Sequence, residues 1–254
     1  MADSVRADGR RVDELRPVSI EAGFLGHAEG SASIRAGRTW VLCAATASDR
    51  QPFFLKAQNT TRGWVTAEYG MLPRSVGVRL QRNRPGGREA EIQRLVGRSL
   101  RAVTDLERLP LHTITLDCDV IEADGGTRAA AITGAFVALC EACRWMVRQG
   151  RLREIPILAP VAAVSVGWVR GRPLCDLDHA EDADAAMDMC LIMTEEGGWV
   201  GLHATAESRP LRDDQFTALH ELARAALPKL FAEQKRALGL DPERPFEARA
   251  LLQP

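Results

Sequence analysis

The chain has 254 residues, of which 46% are apolar and 26% charged, and its formal net charge is −1. These values are typical of a soluble globular protein with a sizeable core. They exclude binding of nucleic acid through overall charge, so any site for a polyanion must be a local basic patch.

The location of the protein is expected to be cytoplasmic, without a membrane segment. Residues 1–17 carry charges throughout, unlike a signal peptide or an anchor, and the longest uncharged apolar run, Ala129 to Cys140, is too short to span a bilayer. The six cysteines mostly lie in apolar runs, which predicts buried thiols in a reducing compartment. Cys140 and Cys143 have metal or redox spacing, but they lie in a predicted helix without a second pair, so helix packing is favoured.

The first third of the chain has the alternation of β-sheet. "SASIRAG" and "TWVLCAATA" flank Ala36-Gly37-Arg38 and predict a β-hairpin, and Trp64 to Tyr69 predicts a further strand. Residues 73–88 then read as an irregular loop. From Gly87 the apolar residues follow a helical period up to Pro110. "HTITLDCDVIEA" is a strand whose buried face is predicted to consist of Ile114, Leu116, Cys118 and Val120.

The second half adds two helices and two hairpins. A buried helix runs from after Gly126 to about Val147, and a final helix, roughly Asp213 to Leu238, is expected to kink at Pro228. Hairpins are predicted around residues 170–172 and 195–198. The order of elements indicates an α+β fold, a single domain over residues 1–254 with mixed β-sheets layered with α-helices.

The stretch "VIEADGGTRAAAITGAF" places two glycines, Thr127 and Arg128 where a strand meets a helix. Glycines let backbone N–H groups approach a ligand, and the start of a helix attracts anions. Thr127 adds a hydroxyl donor and Arg128 a planar cation suited to phosphate. A tight strand-to-helix connection with Thr127 as the N-cap is the alternative.

The stretch "RPGGREAEIQR" repeats this arrangement, since Gly86 and Gly87 precede Arg88 at the start of a helix. If the two helix starts converge, Arg88, Gly126, Thr127 and Arg128 would surround one oxyanion. A solvated surface arginine is the alternative for Arg88.

The loop "RSVGVRLQRNRPGGR" is basic and has no acidic residue. Arginines suit phosphodiester backbones, so Arg74, Arg79 and Arg82 are candidate contacts for a nucleic acid and Tyr69 could stack on a base. An acidic protein surface is the alternative partner.

The stretch "CDLDHAEDADAAMD" holds six carboxylates, which repel one another unless a cation or arginines lie among them. Oxygen ligands without a cysteine or histidine pair favour Mg²⁺ or Mn²⁺. Asp182, in a predicted loop, and Asp188, before a strand, could reach one site, whereas a solvated acidic loop is the alternative. No serine, histidine and acid arrangement stands out, which fits a reaction in which phosphate itself attacks.

The sequence resembles RNase PH, the phosphate-dependent exoribonuclease family related to polynucleotide phosphorylase and to exosome ring subunits. The similarity runs nearly end to end and is most specific in "TAEYGMLPR", "EIQRLVGRSLRAV" and "DCDVIEADGGTR". It implies a 3′→5′ exonuclease that uses inorganic phosphate to release nucleoside diphosphates from RNA 3′ ends, typically those of precursor tRNA. It also implies the RNase PH fold and a homohexameric ring.

Carried over by position, the resemblance makes Arg88 and the loop Gly126-Thr127-Arg128 the phosphate site. It places the acidic pair beside the metal and the scissile bond at Asp182 and Asp188, and it turns Arg74 and Arg79 towards RNA. Glu89, after the phosphate arginine, departs from the family pattern. A catalytically silent ring subunit that binds RNA or scaffolds partners is the alternative function. A small-molecule kinase would need a Gly/Ser-rich nucleotide loop, which the sequence lacks.

Overall fold

The computed structural model describes residues 6–81, 86–206 and 210–253. Its strands are β1 (Val18–Ala22), β2 (Gly30–Ala36), β3 (Thr39–Ser48), β4 (Trp64–Met71), β5 (Thr113–Glu122), β6 (Val161–Val169), β7 (Arg172–Cys175), β8 (Ala185–Thr194) and β9 (Trp199–Ala206). Its helices are α1 (Phe53–Ala57), α2 (Gly87–Ala102), α3 (Thr127–Arg148), α4 (His179–Ala183) and α5 (Asp213–Ala237). This is the α+β class predicted from the order of elements.

The first sheet has the strand order β1-β2-β3-β5-β4 and is mixed, because β4 runs parallel to β5 while the other pairs are antiparallel. The hairpin between β2 and β3 turns at Gly37, whose φ is +57°, so the prediction for this segment is confirmed. The alternation in β5 is also confirmed, since its predicted apolar face is almost completely buried.

The second sheet has the order β7-β6-β8-β9 and is antiparallel throughout. Both hairpins predicted from the sequence, β6-β7 and β8-β9, are present. The parallel pairing is therefore confined to one edge of the first sheet.

Helix α3 lies between the two sheets and packs against β2, β3, β5 and β6. It is apolar on most sides because neighbours cover it on most sides. By length and composition α3 could cross a membrane, but 78% of its most apolar window is buried inside the protein, as in the core helix of a globular fold. Helix α5 covers the other face of the second sheet and continues as one element through Pro228.

Two short helices and one strand of the structure were not predicted from the sequence. β1 and α1 have only five residues each, and α4 replaces the loop that was expected to carry Asp182. α4 forms because Asp178 and Glu181 make a reciprocal capping box, which stabilises a helix too short for apolar periodicity.

All six cysteines are free and buried, as expected from the apolar runs around them. Burial raises the pKa of the Cys143 thiol to about 12 and raises that of Cys140 well above its ordinary value. Such thiols are poor nucleophiles and poor metal ligands. Helix packing is therefore the role that the structure gives to the Cys140 and Cys143 pair.

Candidate active site

Four charged side chains selected from the sequence line one open pocket of about 590 Å³. Arg88 comes from the first turn of α2, Arg128 from the first turn of α3, Asp182 from α4 and Asp188 from β8. The first N–H groups of a helix have no partner within the helix and carry partial positive charge. The pocket thus combines two helix starts and two arginines with the carboxylates of Asp182 and Asp188, and a third carboxylate, that of Glu91 on α2, also lines it.

The start of α3 has a backbone conformation that requires glycine. Gly125 and Gly126 have φ values of +76° and +68°, which L-residues with a side chain rarely adopt. A Cβ on Gly125 would also overlap the backbone of Leu177 and lie 2.6 Å from the carbonyl carbon of Asp178. These glycines therefore let the start of α3 pack directly against the segment that leads into α4.

The start of α2 differs from that of α3, although both follow a Gly-Gly pair. Gly86 has an extended conformation with φ −71°, and a Cβ on Gly87 would meet open space. The carboxylate of Glu89 lies close to Gly86, at the end of the helix where a negative charge is stabilising. The similarity of the two sequences is thus not a similarity of backbone geometry.

Thr127 forms a hydrogen bond with Tyr69, a residue for which stacking on a base was predicted from the sequence. The Tyr69 hydroxyl and Thr127 Oγ1 are 2.9 Å apart, and the Tyr69 side chain is buried in the core with 5% of the residue exposed. Burial raises the pKa of Tyr69, so it stays protonated. The expectation that Tyr69 stacks on a base is wrong, because its ring packs inside the protein.

Arg128 and Asp188 form an ion pair across the pocket, with Nη2 donating to Oδ2 at 2.9 Å. Asp188 lies within β8, not before a strand as predicted, so the sheet fixes the direction of its side chain. Both side chains remain partly exposed to the pocket, which leaves them accessible to a ligand.

Asp182 faces the pocket from α4. Burial and the charge of Asp188 raise its pKa, while the charges of Arg128 and Arg88 oppose this effect. Two neighbouring carboxylates therefore share a partly buried site beside two arginines. Such a site suits a divalent cation.

The donor set fits Mg²⁺ better than a metal that needs many protein ligands. Within the described ranges, no group of three or more His, Cys, Asp or Glu side chains could hold a metal ion. Mg²⁺ commonly uses one or two carboxylates and completes its shell with water and substrate phosphate oxygens. Asp182 and Asp188 meet that requirement.

The remaining carboxylates of the acidic stretch have structural partners. Asp178 and Glu181 cap α4, and Glu181 also accepts a hydrogen bond from Arg6 Nε at 2.6 Å. Asp184 pairs with Arg170 at the surface. Arginines thus lie among these carboxylates, one of the two possibilities left open by the sequence, and of the acids in this stretch Asp182 and Asp188 line the pocket with Arg88 and Arg128.

Arg16, near the N-terminus, connects the segments that precede α3 and α4, a role that was not predicted from the sequence. Buried Arg16 binds Asp176 through Nε at 3.0 Å and Nη2 at 2.7 Å, and it donates from Nη1 to the carbonyl of Asp124. Arg6 and Arg10 donate to the backbone carbonyl of Asp176. The charge complementarity between "RADGRRVDELR" and the acidic stretch is a signal that could have found this network.

Other predicted site residues lie away from the pocket. Gly126 caps α3 but faces Arg16 and not the four pocket side chains. Arg74 and Arg79 are exposed on the loop between β4 and α2, and neither lines the pocket. Arg82 lies outside the described residues.

The fold and the pocket define a class, an α+β protein in which two arginine-bearing helix starts face two carboxylates. Comparison with known proteins is more specific. Residues 14–144 match the family model described as the 3′ exoribonuclease family, domain 1, and residues 159–226 match the model for domain 2 of the same family. The chain belongs to this 3′ exoribonuclease family, that of RNase PH.

Solved structures show the same fold at low sequence identity. Rice (Oryza sativa) Rrp46 has a TM-score of 0.73 and 22% identity, covering 89% of this chain and 96% of its own. A chain of the Archaeoglobus fulgidus exosome with RNA bound to the active site has a TM-score of 0.79 and 22% identity, covering 90% and 92%. A chain of an archaeal exosome core has a TM-score of 0.73, 21% identity and 90% coverage of both chains.

Proposed function

We propose that the protein is a phosphate-dependent 3′→5′ exoribonuclease that shortens RNA one nucleotide at a time and releases nucleoside diphosphates. The observation that carries this proposal is the convergence of Arg88, Arg128, Asp182 and Asp188 on one pocket. A catalytically silent subunit would have no need to hold two cations and two carboxylates together in this way.

In the proposed reaction, Arg88 and Arg128 bind inorganic phosphate at the start of α3, with Thr127 nearby. They hold a phosphate oxygen in line with the last internucleotide phosphorus, which lowers the entropic part of the barrier. The new P–O bond forms as the bond from phosphorus to the 3′ oxygen breaks. The released 3′ oxygen takes up the proton of the attacking hydrogen phosphate, so the shortened RNA ends in a 3′-hydroxyl and the terminal nucleotide leaves as a diphosphate.

Asp182 and Asp188 would hold Mg²⁺, or Mn²⁺, which offsets negative charge on the transferring phosphoryl group when bound. The arginines let two anions approach each other. Because a phosphodiester is exchanged for a phosphoanhydride, the reaction is expected to run in reverse and add nucleotides when phosphate is scarce.

RNA 3′ ends, typically those of precursor tRNA, are the proposed substrates, and a homohexameric ring in the cytoplasm is the proposed assembly. Support comes from the family membership and from the exosome chains that share the fold. The exposed Arg74 and Arg79, with Arg82, are proposed to contact RNA.

The deciding experiment incubates the purified protein with a short RNA, with and without phosphate and Mg²⁺, and identifies the products by mass spectrometry. Nucleoside diphosphates should form only when both are present. Monophosphates formed without phosphate would mean hydrolysis. RNA binding without any release would favour the silent ring subunit.

Replacing Arg88 with alanine tests the phosphate site. Loss of a charge-assisted contact should raise the KM for phosphate by about 10- to 100-fold. The fold should not change, because Arg88 is exposed. Arg38→Ala, which removes an exposed ion pair with Glu122, is the matched control and should leave this KM unchanged. An unaltered phosphate titration in Arg88→Ala would remove Arg88 from the site.

A further inference from the structure

A second surface of the protein combines exposed aromatic rings with clustered arginines. We call it the aromatic–arginine surface and define it by Phe53, Phe54, Arg62, Trp64, Arg98 and Arg101. Trp64 at the start of β4 joins its parts, because it contacts Phe54 on α1 and Arg101 near the C-terminal end of α2. None of these residues lines the pocket described above.

The aromatic part of this surface is unusually open. Phe53 is 85% exposed and Phe54 is 45% exposed, although the neighbouring Leu55 is buried and anchors α1. Phe54 packs edge-on against Trp64, with ring centroids 5.1 Å apart. The fold therefore holds Phe54 in place and leaves the Phe53 ring free in solvent.

In the described part of the chain, arginines outnumber acids in the charged part of this surface. Arg101 stacks over Trp64 at 4.3 Å and donates to the Val65 carbonyl at the free edge of β4. Its pKa is lowered by burial and by the charges of Arg98 and Arg62. No acidic residue occurs between residues 50 and 63.

Two acids flank this segment. The charge of Asp49 is compensated by Arg151, whereas Glu68 accepts a hydrogen bond from the neutral Gln93 and keeps its charge, against the three arginines of the surface. The surface therefore keeps an excess of positive charge, which suits an anionic ligand.

Helix α2 carries residues of both the surface and the candidate active site, since Leu95 lines the pocket and Arg98 lies three residues further along. Burial lowers the pKa of His203 and the charges of Arg128 and Arg98 lower it further, while Glu91 at the pocket raises it. Arg98 is in turn a neighbour of Arg101. The stretch of α2 from Arg88 to Arg101 is about 20 Å long at the rise of an α-helix.

We propose that the aromatic–arginine surface binds single-stranded RNA upstream of the 3′ end that occupies the pocket, with a base stacked on Phe53 and phosphates along Arg98 and Arg62. Aromatic rings next to arginines are the combination that single-stranded nucleic acids bind, because every base has a π-face and every nucleotide a phosphate. The inference rests on the proposed function in one respect, namely that the pocket holds the 3′ end of the RNA.

The test measures binding by fluorescence anisotropy without phosphate, so that no turnover is needed, using oligoadenylates of about four and about twelve nucleotides. Phe53→Ala should weaken binding of the longer RNA about tenfold and leave the shorter one unchanged. For the longer RNA, Arg98→Ala should reduce the slope of the logarithm of the binding constant against the logarithm of the salt concentration by about one. Leu158→Ala, which removes an exposed apolar side chain elsewhere, is the control.

Equal affinities of the parent and Phe53→Ala for the longer RNA would overturn the proposal. The proposal would also be overturned if Phe53→Ala changed the oligomeric mass measured by light scattering and lost affinity equally for both RNA lengths. The surface would then be a contact between copies of the chain. A parent protein without phosphorolysis but with the length-dependent loss would refute the proposed function and leave this surface an RNA site.

Discussion

At the scale of single residues, the surroundings of Asp182 disfavour its ionised form. Burial and Asp188 raise its pKa, so the folded protein favours protonated Asp182 more than the unfolded chain does. The stability gained from this proton is present below the ordinary pKa of an aspartate and is lost as the pH rises through the raised value. At neutral pH the ionised group therefore costs stability, as is common for groups kept for function.

Asp182→Asn should therefore raise the unfolding temperature at pH 7 and abolish phosphorolysis. The gain in stability should shrink on acidification below the ordinary range of an aspartate. Thermal unfolding between pH 3 and about 8 measures this difference. Asp184→Asn is the matched control, since its exposed pair with Arg170 contributes little. An unfolding temperature below that of the parent at pH 7 would contradict the argument.

Gly125→Ala should destabilise the protein by about 2–4 kcal/mol, because both its positive φ and the adjoining backbone at 177–178 resist a side chain. Gly150→Ala is the control, since Gly150 has a φ of +68° in open space and should cost only about 1 kcal/mol. Urea unfolding gives both values. Equal losses in the free energy of unfolding for the two variants would mean that the close packing around Gly125 does not add to the effect of its positive φ.

The sequence identified four of the five charged residues that line the pocket, all except Glu91, because helix starts, arginines and carboxylates are local patterns. It could not separate Asp182 and Asp188 from the other carboxylates by spacing alone, since their partners come from distant segments. Arg6 and Arg16, for example, are more than 150 residues from the acids they bind. Tyr69 was misjudged for the same reason, because its burial depends on strands and helices far along the chain.

At the scale of elements, the N-terminal segment joins the start of α3 to the turn before α4. Arg16 connects the carbonyl of Asp124 to the carboxylate of Asp176, so one side chain sets the spacing between the two elements that carry Arg128 and Asp182. Hairpins and long helices were predictable from periodicity. The five-residue α4 was not, because its capping box acts in place of a repeating apolar pattern.

Arg16→Ala should cost about 3–5 kcal/mol, because it leaves the carboxylate of Asp176 buried without its main partner. The double variant Arg16→Met with Asp176→Asn should recover part of this loss, since no buried charge remains unpaired. Urea unfolding measures both effects, with Arg38→Ala as the control for an exposed ion pair. A cost in Arg16→Ala no larger than that control would refute the role of Arg16.

At the scale of the whole molecule, α3 makes one packed unit from the two sheets. Gln234 on α5 is completely buried and donates to the carbonyls of Thr133 on α3 and Val161 on β6. The two family models divide the sequence at about residue 150, yet α3 contacts strands on both sides of that division. The single domain predicted for residues 1–254 stays a prediction, which this packing favours.

The chain should therefore unfold in one cooperative transition. Calorimetric and van't Hoff enthalpies should agree when measured at several protein concentrations, which separates unfolding from dissociation of an assembly. Two transitions, or a calorimetric enthalpy well above the van't Hoff value, would mean that the two sheets unfold separately.

The sequence by itself determined the α+β class, most strands, the long helices and a set of charged candidates for the pocket, because periodicity, turn residues and charge are encoded over short distances. Only the tertiary structure decided which of these carboxylates face the pocket, why Gly125 cannot carry a side chain, and that Trp64 contacts both Phe54 and Arg101. Those features depend on contacts between segments tens to more than a hundred residues apart, whose geometry follows from packing of the whole core.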